Sequence, residues 1–341
     1  MKRALVCIVA FIVLSAGAPP AQSQPTKQSP VKAGDTSPHT VQFITVDKGV
    51  NLEVLDWGGT GRPLVFLAGL GNTAHIFDNF APKFTPSYHV YGITRRGFGA
   101  SSAPPPADGN YSADRLGDDV LAVIEALKLD RPVLVGHSIA GEELSSIGSR
   151  YPDKVAGLIY LDAGYPYAYY DHKRANPSQL YLILDAIYLK RKLDSYLSGG
   201  VQDPQQLMKK LQASLPQFES DLGEEEKRLA SMPPQPQQSG PAFEISWAII
   251  RGEQKYTEVH VPILAIFADP HDFGQEFKSD PAARAAAIAN DLASTTTQAK
   301  AFQAGNPSAH VVLIPNANHY VFKSNEAEVL RDMNAFLAKL P

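Results

Sequence analysis

The segment PVLVGHSIAGEELSSIGSRYP, residues 132–152, changes its pattern at a single serine. A β-branched apolar run ends at Ser138, and a helix-like pattern begins directly after it. A serine on a sharp strand-to-helix turn holds its hydroxyl exposed when the residues two before and two after it are small. Here those residues are Gly136 and Ala140, so we predict such a turn; a serine that only caps the next helix is the alternative.

Short apolar runs alternate with helical patterns on both sides of this corner. Two alternating runs, 41–46 and 50–58, are joined by Asp47-Lys48-Gly49 and predict a hairpin. The predicted buried strands are 63–69, 88–93, 132–136, 155–162, 261–269 and 310–315, and the predicted helices are 112–127, 140–151, about 280–303 and 324–339. Continuous apolar strands between helices predict an α/β fold with a mostly parallel, doubly wound sheet covered on both faces.

The alternation breaks between residues 163 and 260. This stretch contains the aromatic run YPYAYY at 165–170, a helical segment around 181–197 and a Pro/Gln-rich run. We therefore predict a helical lid inserted between two strands of one sheet. The predicted division of the chain is a signal peptide at 1–23, a disordered leader at 24–40, a core at 41–162, the lid at 163–260 and the rest of the core at 261–341.

The N-terminus has the pattern of an export signal. Two positive charges precede an apolar run from Ala4 to Ala16, which is too short to span about 30 Å of bilayer. Cleavage is expected after Ser23, with Ala18 as the alternative; an uncleaved anchor is the other interpretation. The single cysteine, Cys7, lies in this segment, so the mature chain would have no disulfide. We expect a periplasmic or secreted protein without a stable membrane anchor after cleavage.

Composition limits the classes of partner. The chain has 341 residues, 44% of them hydrophobic and 19% charged, with a formal net charge of −4. No basic excess or lysine/arginine stripe points to nucleic acid or anionic lipid. No H-E-x-x-H or comparable ligand spacing predicts a metal, and no glycine-rich loop predicts a bound cofactor. The expected partner is a small molecule, and the sequence does not predict an oligomeric state.

The serine corner and the strand order resemble the α/β-hydrolase superfamily from about Val41 to the end of the chain. The segment YGITRRGFGASSAP, 91–104, is similar to the family's D-x-R-G-F-G-x-S motif, with Thr94 in the place of the aspartate. The resemblance implies that Ser138 is a nucleophile. Dehalogenases and epoxide hydrolases of this fold need a carboxylate nucleophile, so Ser138 argues against both activities.

The resemblance also implies a base and an acid. His319 follows the last predicted strand by a four-residue loop and would take the serine proton, whereas His310 begins that strand. A carboxylate is expected after the strand VPILAIF, where Asp272 is the first choice and Asp269 an alternative. Asp162, at the end of GLIYLD, is a further alternative. The acid would hold the histidine in the correct tautomer.

Two backbone N–H groups are expected to stabilise the developing oxyanion. The resemblance assigns them to Ile139, directly after the nucleophile, and to Leu70, which follows Ala68-Gly69 where the family commonly has His-Gly. Glu142 and Glu143 fall in the first turn of the next helix, where negative charge is favourable. We interpret them as helix-terminal charge, although one that faced the pocket could select a cationic substrate.

An activated serine with an oxyanion hole performs acyl transfer. The first hypothesis is a carboxylesterase that cleaves small, largely apolar esters through an acyl-enzyme. Aminopeptidases, lactonases and C–C bond hydrolases share the scaffold, and the fold does not separate them. The alternative from another class is a binding protein that holds a ligand under the lid with little or no turnover.

Overall fold

The computed structural model describes residues 39–107, 109–174, 179–230, 239–275, 277 and 280–341. The predicted signal peptide and residues 24–38 of the predicted leader lie outside these ranges, as does most of the Pro/Gln-rich run. Within the described ranges, no helix is long and apolar enough to cross a membrane.

An eight-stranded sheet organises the chain. Its strands run in the order β1-β2-β4-β3-β5-β6-β7-β8; β1 and β2 are antiparallel, as are β2 and β4, and the other neighbours are parallel. The strands are β1 Thr40–Asp47, β2 Val50–Gly58, β3 Pro63–Leu67, β4 His89–Ile93, β5 Val133–His137, β6 Gly157–Leu161, β7 Ile263–Ala268 and β8 Ala309–Ile314. The predicted hairpin and mostly parallel sheet are therefore confirmed.

Helices cover both faces of the sheet. The α-helices of the described residues are α1 Ala113–Ala126, α2 Gly141–Arg150, α3 Gln179–Leu197, α4 Pro204–Ala230, α5 Pro241–Gly252, α6 Pro281–Gly305, α7 Val321–Ser324 and α8 Glu326–Leu337. Every residue of β5, β6 and β7 is buried, which explains why these strands are continuous apolar runs in the sequence. Helix α1 begins where the Ser112 hydroxyl accepts a hydrogen bond from the Arg115 N–H, and its Leu116, Val120 and Val123 are buried.

Helices α3, α4 and α5 form an insertion between β6 and β7. One tyrosine fastens it to the core: the Tyr181 hydroxyl of α3 donates to Gln298 of α6 at 2.9 Å. Within the inserted stretch, Asp185 of α3 accepts from the Tyr170 hydroxyl at 2.6 Å and pairs with Arg174 at 3.0 Å. Tyr169 of the aromatic run packs edge-on against Phe302 of α6, so part of this run contacts the sheet domain.

The register of the parallel strands brings their carboxyl ends to one edge. Leu67 of β3 pairs with Gly136 of β5, and His137 of β5 pairs with Leu161 of β6. Ala268 of β7 pairs with Ile314 of β8. Loops that follow these strands consequently meet at the same edge, where ligands of open α/β sheets bind.

Candidate active site

Ser138 sits on a strained turn between β5 and α2. Its φ is +56°, in the left-handed region, which costs a non-glycine residue about 1–3 kcal/mol. A Cβ atom at Gly136 would lie 3.2 Å from that of Ala140, so the methyl group of Ala140 fits because position 136 has none. A Cβ at Gly141 would lie 2.0 Å from the Ala163 carbonyl oxygen. The turn therefore tolerates alanine at position 140. A glycine is required at position 141, where a Cβ would collide with the Ala163 carbonyl oxygen.

Ser138 faces the histidine that follows β8. The Ser138 hydroxyl lies 2.8 Å from Nε2 of His319. On the other side of the same ring, Nδ1 lies 2.7 Å from Oδ2 of Asp162. With Nδ1 protonated and donating to the carboxylate, Nε2 is free to accept the serine proton.

Asp162 follows β6 and is completely buried. Its Oδ1 accepts hydrogen bonds from the Ala268 N–H at 3.0 Å and from the Tyr165 hydroxyl at 2.9 Å. Burial alone would raise the pKa of Asp162, but the charge and hydrogen bonds of His271 and His319 outweigh it and hold this pKa well below its usual range. The carboxylate therefore stays ionised.

The preference for Asp272 as the partner of His319 is corrected by this geometry. The Asp272 side chain is 49% exposed; it accepts from the Gly274 N–H at 2.9 Å and lies 3.4 Å from Arg284. Asp269, one of the alternatives, accepts instead from the Thr296 hydroxyl at 2.6 Å. Of the three predicted carboxylates, the structure brings only Asp162 to the histidine.

The loop expected to supply the acid contributes a second histidine. Nε2 of His271 lies 2.7 Å from Oδ2 of Asp162, and its Nδ1 lies 3.0 Å from Asp291 of α6. The His271 N–H also donates to Asp291 at 2.7 Å. Burial lowers the pKa of His271, but Asp162 and Asp291 together raise it to about 10. Sequence reasoning missed this residue, although a histidine in the acid's expected loop was the available signal.

Comparison with known proteins identifies the family of the chain. A family model described as the alpha/beta hydrolase fold matches residues 62–326. The chain belongs to the α/β-hydrolase fold family. It is 31% identical over 136 residues to epoxide hydrolase 3 of Xenopus tropicalis, which covers 40% of this chain and 37% of that protein. It is 33% identical over 120 residues to a putative carbamate hydrolase RutD of Caulobacter segnis. This match covers 35% of this chain and 44% of that protein. The matches thus span less than half of these relatives.

Solved structures share the fold at lower identity. The bromoperoxidase from Bacillus anthracis matches with a TM-score of 0.55 and 19% identity, over 88% of this α/β-hydrolase and 100% of that chain. The Bacillus megaterium epoxide hydrolase matches with a TM-score of 0.54 and 20% identity. This match covers 87% of this chain and 100% of that chain. At such identities the likeness supports the architecture alone.

The histidine next to the serine of this α/β-hydrolase supports the loop that holds His319. Nε2 of His137 donates to the His319 carbonyl oxygen at 2.9 Å. Burial, and then the neighbouring His319, lower the pKa of His137 to about 3, so its ring stays neutral. His137 thus fixes backbone position, whereas its neighbour Ser138 points to the ring of His319.

The oxyanion candidates lie on both sides of the serine. Ile139 follows it within a 3₁₀ turn, Ser138–Ala140. Leu70 follows Gly69, where an added Cβ would lie 3.1 Å from that of Ser138. Arg95 donates to the Ala68 carbonyl at 3.0 Å and so orients this loop without the histidine that the family commonly has. The role of both N–H groups remains a prediction.

The two glutamates of α2 are buried rather than exposed helix-terminal charges. Glu143 accepts two hydrogen bonds from Arg95, at 2.6 and 2.7 Å. Glu142 is 0% exposed, and among the described residues its carboxylate oxygens have no hydrogen-bond partner. Both glutamates lie in the first turn of α2, as predicted, but their burial was not predicted.

The histidine and carboxylate cluster at the candidate active site has the spacing of metal ligands. The ligand atoms of Asp162, His271 and His319 all lie within 4.8 Å of one another. The two histidine nitrogens concerned already face the Asp162 carboxylate at hydrogen-bond distance. Hydrogen bonding accounts for this proximity.

Proposed function

We propose that this α/β-hydrolase cleaves carboxylic esters of small, largely apolar acids or alcohols through an acyl-enzyme. The observation that supports the proposal is the 2.8 Å contact between the Ser138 hydroxyl and Nε2 of His319, whose Nδ1 faces Asp162. A nucleophile, a base and a group that orients the base are thus joined by consecutive hydrogen-bond contacts. The left-handed turn at Ser138 presents its oxygen for attack.

The proposed reaction has two halves. Ser138 Oγ forms a bond to the ester carbonyl carbon while its proton passes to Nε2 of His319. The imidazolium then gives that proton to the leaving alcohol as the C–O bond breaks. Water gives a proton to Nε2 of His319 while its oxygen attacks the acyl carbonyl carbon. The acyl–Oγ bond then breaks, and His319 returns the proton to Ser138 Oγ as the acid leaves. Asp162 stabilises the imidazolium, and the N–H groups of Leu70 and Ile139 would hold the oxyanion.

Similarity to proteins named epoxide hydrolase does not favour epoxide opening here, because the nucleophile position carries Ser138 rather than a carboxylate. Aminopeptidase, lactonase or C–C bond hydrolase activity would use the same triad on another acyl bond. Ligand binding with little turnover is the alternative from another class. We also propose export to the periplasm or the exterior, on the N-terminal pattern of charge and apolar residues.

Covalent labelling tests the proposal. Chain from Gln24 onward is treated with a fluorophosphonate, and the adduct is mapped by peptide mass spectrometry. Labelling is expected at Ser138, with loss in Ser138→Ala and in His319→Ala. Replacement of the exposed His310 by alanine is the matched control and should leave labelling unchanged. Folded protein with no adduct at Ser138 would contradict the hydrolase proposal and favour ligand binding.

A further inference from the structure

A second histidine and carboxylate cluster lies outside the candidate active site. Ligand atoms of His39, His75 and Asp78 all lie within 4.8 Å of one another. His39 directly precedes β1, whereas His75 and Asp78 belong to the 3₁₀ turn Ala74–Phe77 and its C-terminal cap. The sequence did not predict this cluster, because its members come from two segments that are distant along the chain.

The fold brings both imidazoles of this cluster to one carboxylate. Side chains three residues apart lie on the same face of a 3₁₀ helix, and Nδ1 of His75 is 3.0 Å from Oδ2 of Asp78. Nδ1 of His39 approaches the other carboxylate oxygen, Oδ1, at 3.6 Å. The centroids of the two imidazole rings are 5.1 Å apart. Two nitrogens and a carboxylate therefore converge on one point.

The distances between these atoms suit a tetrahedral metal ion. Zinc binds imidazole nitrogen and carboxylate oxygen at about 2.0–2.1 Å, so neighbouring ligand atoms around it are about 3.3 Å apart. The two nitrogen–oxygen distances, 3.0 and 3.6 Å, lie on either side of that value. At the candidate active site, by contrast, both imidazole nitrogens lie 2.7 Å from Oδ2 of Asp162, which is a hydrogen-bond distance.

The surrounding residues have the arrangement of a metal site's outer shell. Oε1 of Glu53 lies 3.8 Å from Nε2 of His75, on the far side of the ring from Asp78. Trp57 donates from Nε1 to Oδ1 of Asp78 at 3.2 Å, and the Thr94 hydroxyl donates to Glu53 at 2.6 Å. Metal-binding histidines usually donate their other ring N–H to a carboxylate, and metal-binding carboxylates are themselves hydrogen-bonded. Glu53 thus favours the tautomer of His75 whose Nδ1 can bind a metal.

Burial and donor type narrow the class of ion. The side chains of His39 and Asp78 are 5% and 17% exposed, whereas that of His75 is 35% exposed. The cluster is therefore shielded from water on one side and accessible to an ion from the side of His75. Imidazole nitrogen suits zinc and similar transition metals, whereas calcium and magnesium prefer oxygen ligands alone.

We propose that His39, His75 and Asp78 bind one zinc ion, with a fourth position open to water. The bound ion joins the residue before β1 to the turn that follows β3, and it stabilises the folded chain because these ligands come together only on folding. The proposal does not depend on ester hydrolysis, since its test uses no substrate.

Zinc titration tests the site in a chain that lacks the other cluster. His319→Ala removes one of the three ligands at the candidate active site, so zinc bound by this variant reports on the proposed site. Chain from Gln24 onward is freed of metal with a chelator and titrated with Zn²⁺ by calorimetry. One ion per chain is expected to bind, and excess Mg²⁺ should not displace it. Zinc should also raise the thermal unfolding temperature.

Substitutions added to His319→Ala test the assignment of the ligands. His39→Ala and Asp78→Asn should each weaken zinc binding by about tenfold or more. Asparagine at position 78 can still accept from Trp57, so this variant separates loss of a ligand from loss of packing. His260→Ala is the matched control, because His260 is 57% exposed and lies 3.5 Å from Glu258 without a third ligand. It should keep the parent affinity.

X-ray absorption spectroscopy gives a readout that does not depend on these added substitutions. Zinc-loaded His319→Ala should show two imidazole ligands, from His39 and His75. The cluster at the candidate active site could then supply only one imidazole, that of His271. Three results would overturn the proposal: no saturable zinc binding by folded His319→Ala, fewer than two imidazoles in its spectrum, or unchanged affinity in the added Asp78→Asn.

Discussion

Nε2 of His271 lies 2.7 Å from Oδ2 of Asp162, the same oxygen that faces Nδ1 of His319 at 2.7 Å. One buried carboxylate oxygen therefore serves two imidazoles, and Asp291 holds the far side of His271. The positive charge on His271 offsets the negative charge on Asp162. A chain of hydrogen bonds thus extends from Asp291 through both histidines to Ser138.

The identity of the acid can be tested by paired substitutions. In Asp162→Asn, His319 loses the carboxylate that fixes its tautomer, and kcat is expected to fall on the order of 10³–10⁴-fold. Asp272→Asn is the matched control and should stay within about threefold of wild type, because Asp272 is half-exposed and bonded within its own loop. Hydrolysis of 4-nitrophenyl butyrate measures both. A larger loss in Asp272→Asn would reverse the assignment.

Removing the charge of His271 should alter the pH profile. Glutamine at this position can still donate to Asp162, but the positive charge that offsets this carboxylate is then lost. The acid limb of kcat/KM is expected to move to higher pH. His260→Gln, at a histidine that is 57% exposed, is the control. An unshifted limb in His271→Gln would show that the second histidine does not act on the base.

The same histidine should make stability depend on pH. The folded-state pKa of His271 is about 10 against an ordinary value of 6.5. A raised pKa contributes stability that is fully present below pH 6.5 and is lost as the pH rises through about 10. The difference in unfolding free energy between wild type and His271→Gln should therefore shrink from pH 6 to pH 10. Urea unfolding at intervals across this range measures it, and a constant difference would speak against a charged His271.

Glycine at position 141 should be essential for packing. An alanine Cβ there would meet the Ala163 carbonyl oxygen at 2.0 Å, so Gly141→Ala is expected to destabilise the fold by about 1–3 kcal/mol. Gly223→Ala in α4 is the opposite control. No atom lies within 4 Å of its added Cβ, and the change should stabilise by about 0.5–1 kcal/mol. Thermal and urea unfolding measure the change in stability of both variants. An unchanged unfolding free energy in Gly141→Ala would mean that α2 can shift away from the end of β6.

The buried ion pair between Arg95 and Glu143 of α2 can also be tested. Glu143→Gln leaves the Arg95 guanidinium buried without its carboxylate, and the expected loss of unfolding free energy is about 3–5 kcal/mol. Glu125→Gln, an exposed glutamate near the end of α1, is the control and should change stability by less than about 0.5 kcal/mol. Denaturant unfolding compares them. Equal stability of the two variants would show that water reaches Arg95.

The sequence by itself determined the sheet, the corner at Ser138 and the loop that delivers His319. Each depends on local pattern: continuous apolar runs, small residues around a turn, and a short loop after a strand. The strand β5 ends at His137, directly before Ser138 and one residue beyond the predicted end at Gly136. Local chemistry was sufficient because neighbouring residues define these features.

Only the tertiary structure decided which carboxylate faces His319 and which glutamates are buried. Asp162 and Asp272 follow neighbouring parallel strands, whose ends reach the same edge, so spacing along the chain does not separate them. Asp162 has a left-handed backbone conformation, and its carboxylate also faces His271. These tertiary features distinguish Asp162 from Asp272 as the partner of His319. Likewise, Glu142 has the sequence pattern of an exposed helix start, and its burial was not predicted.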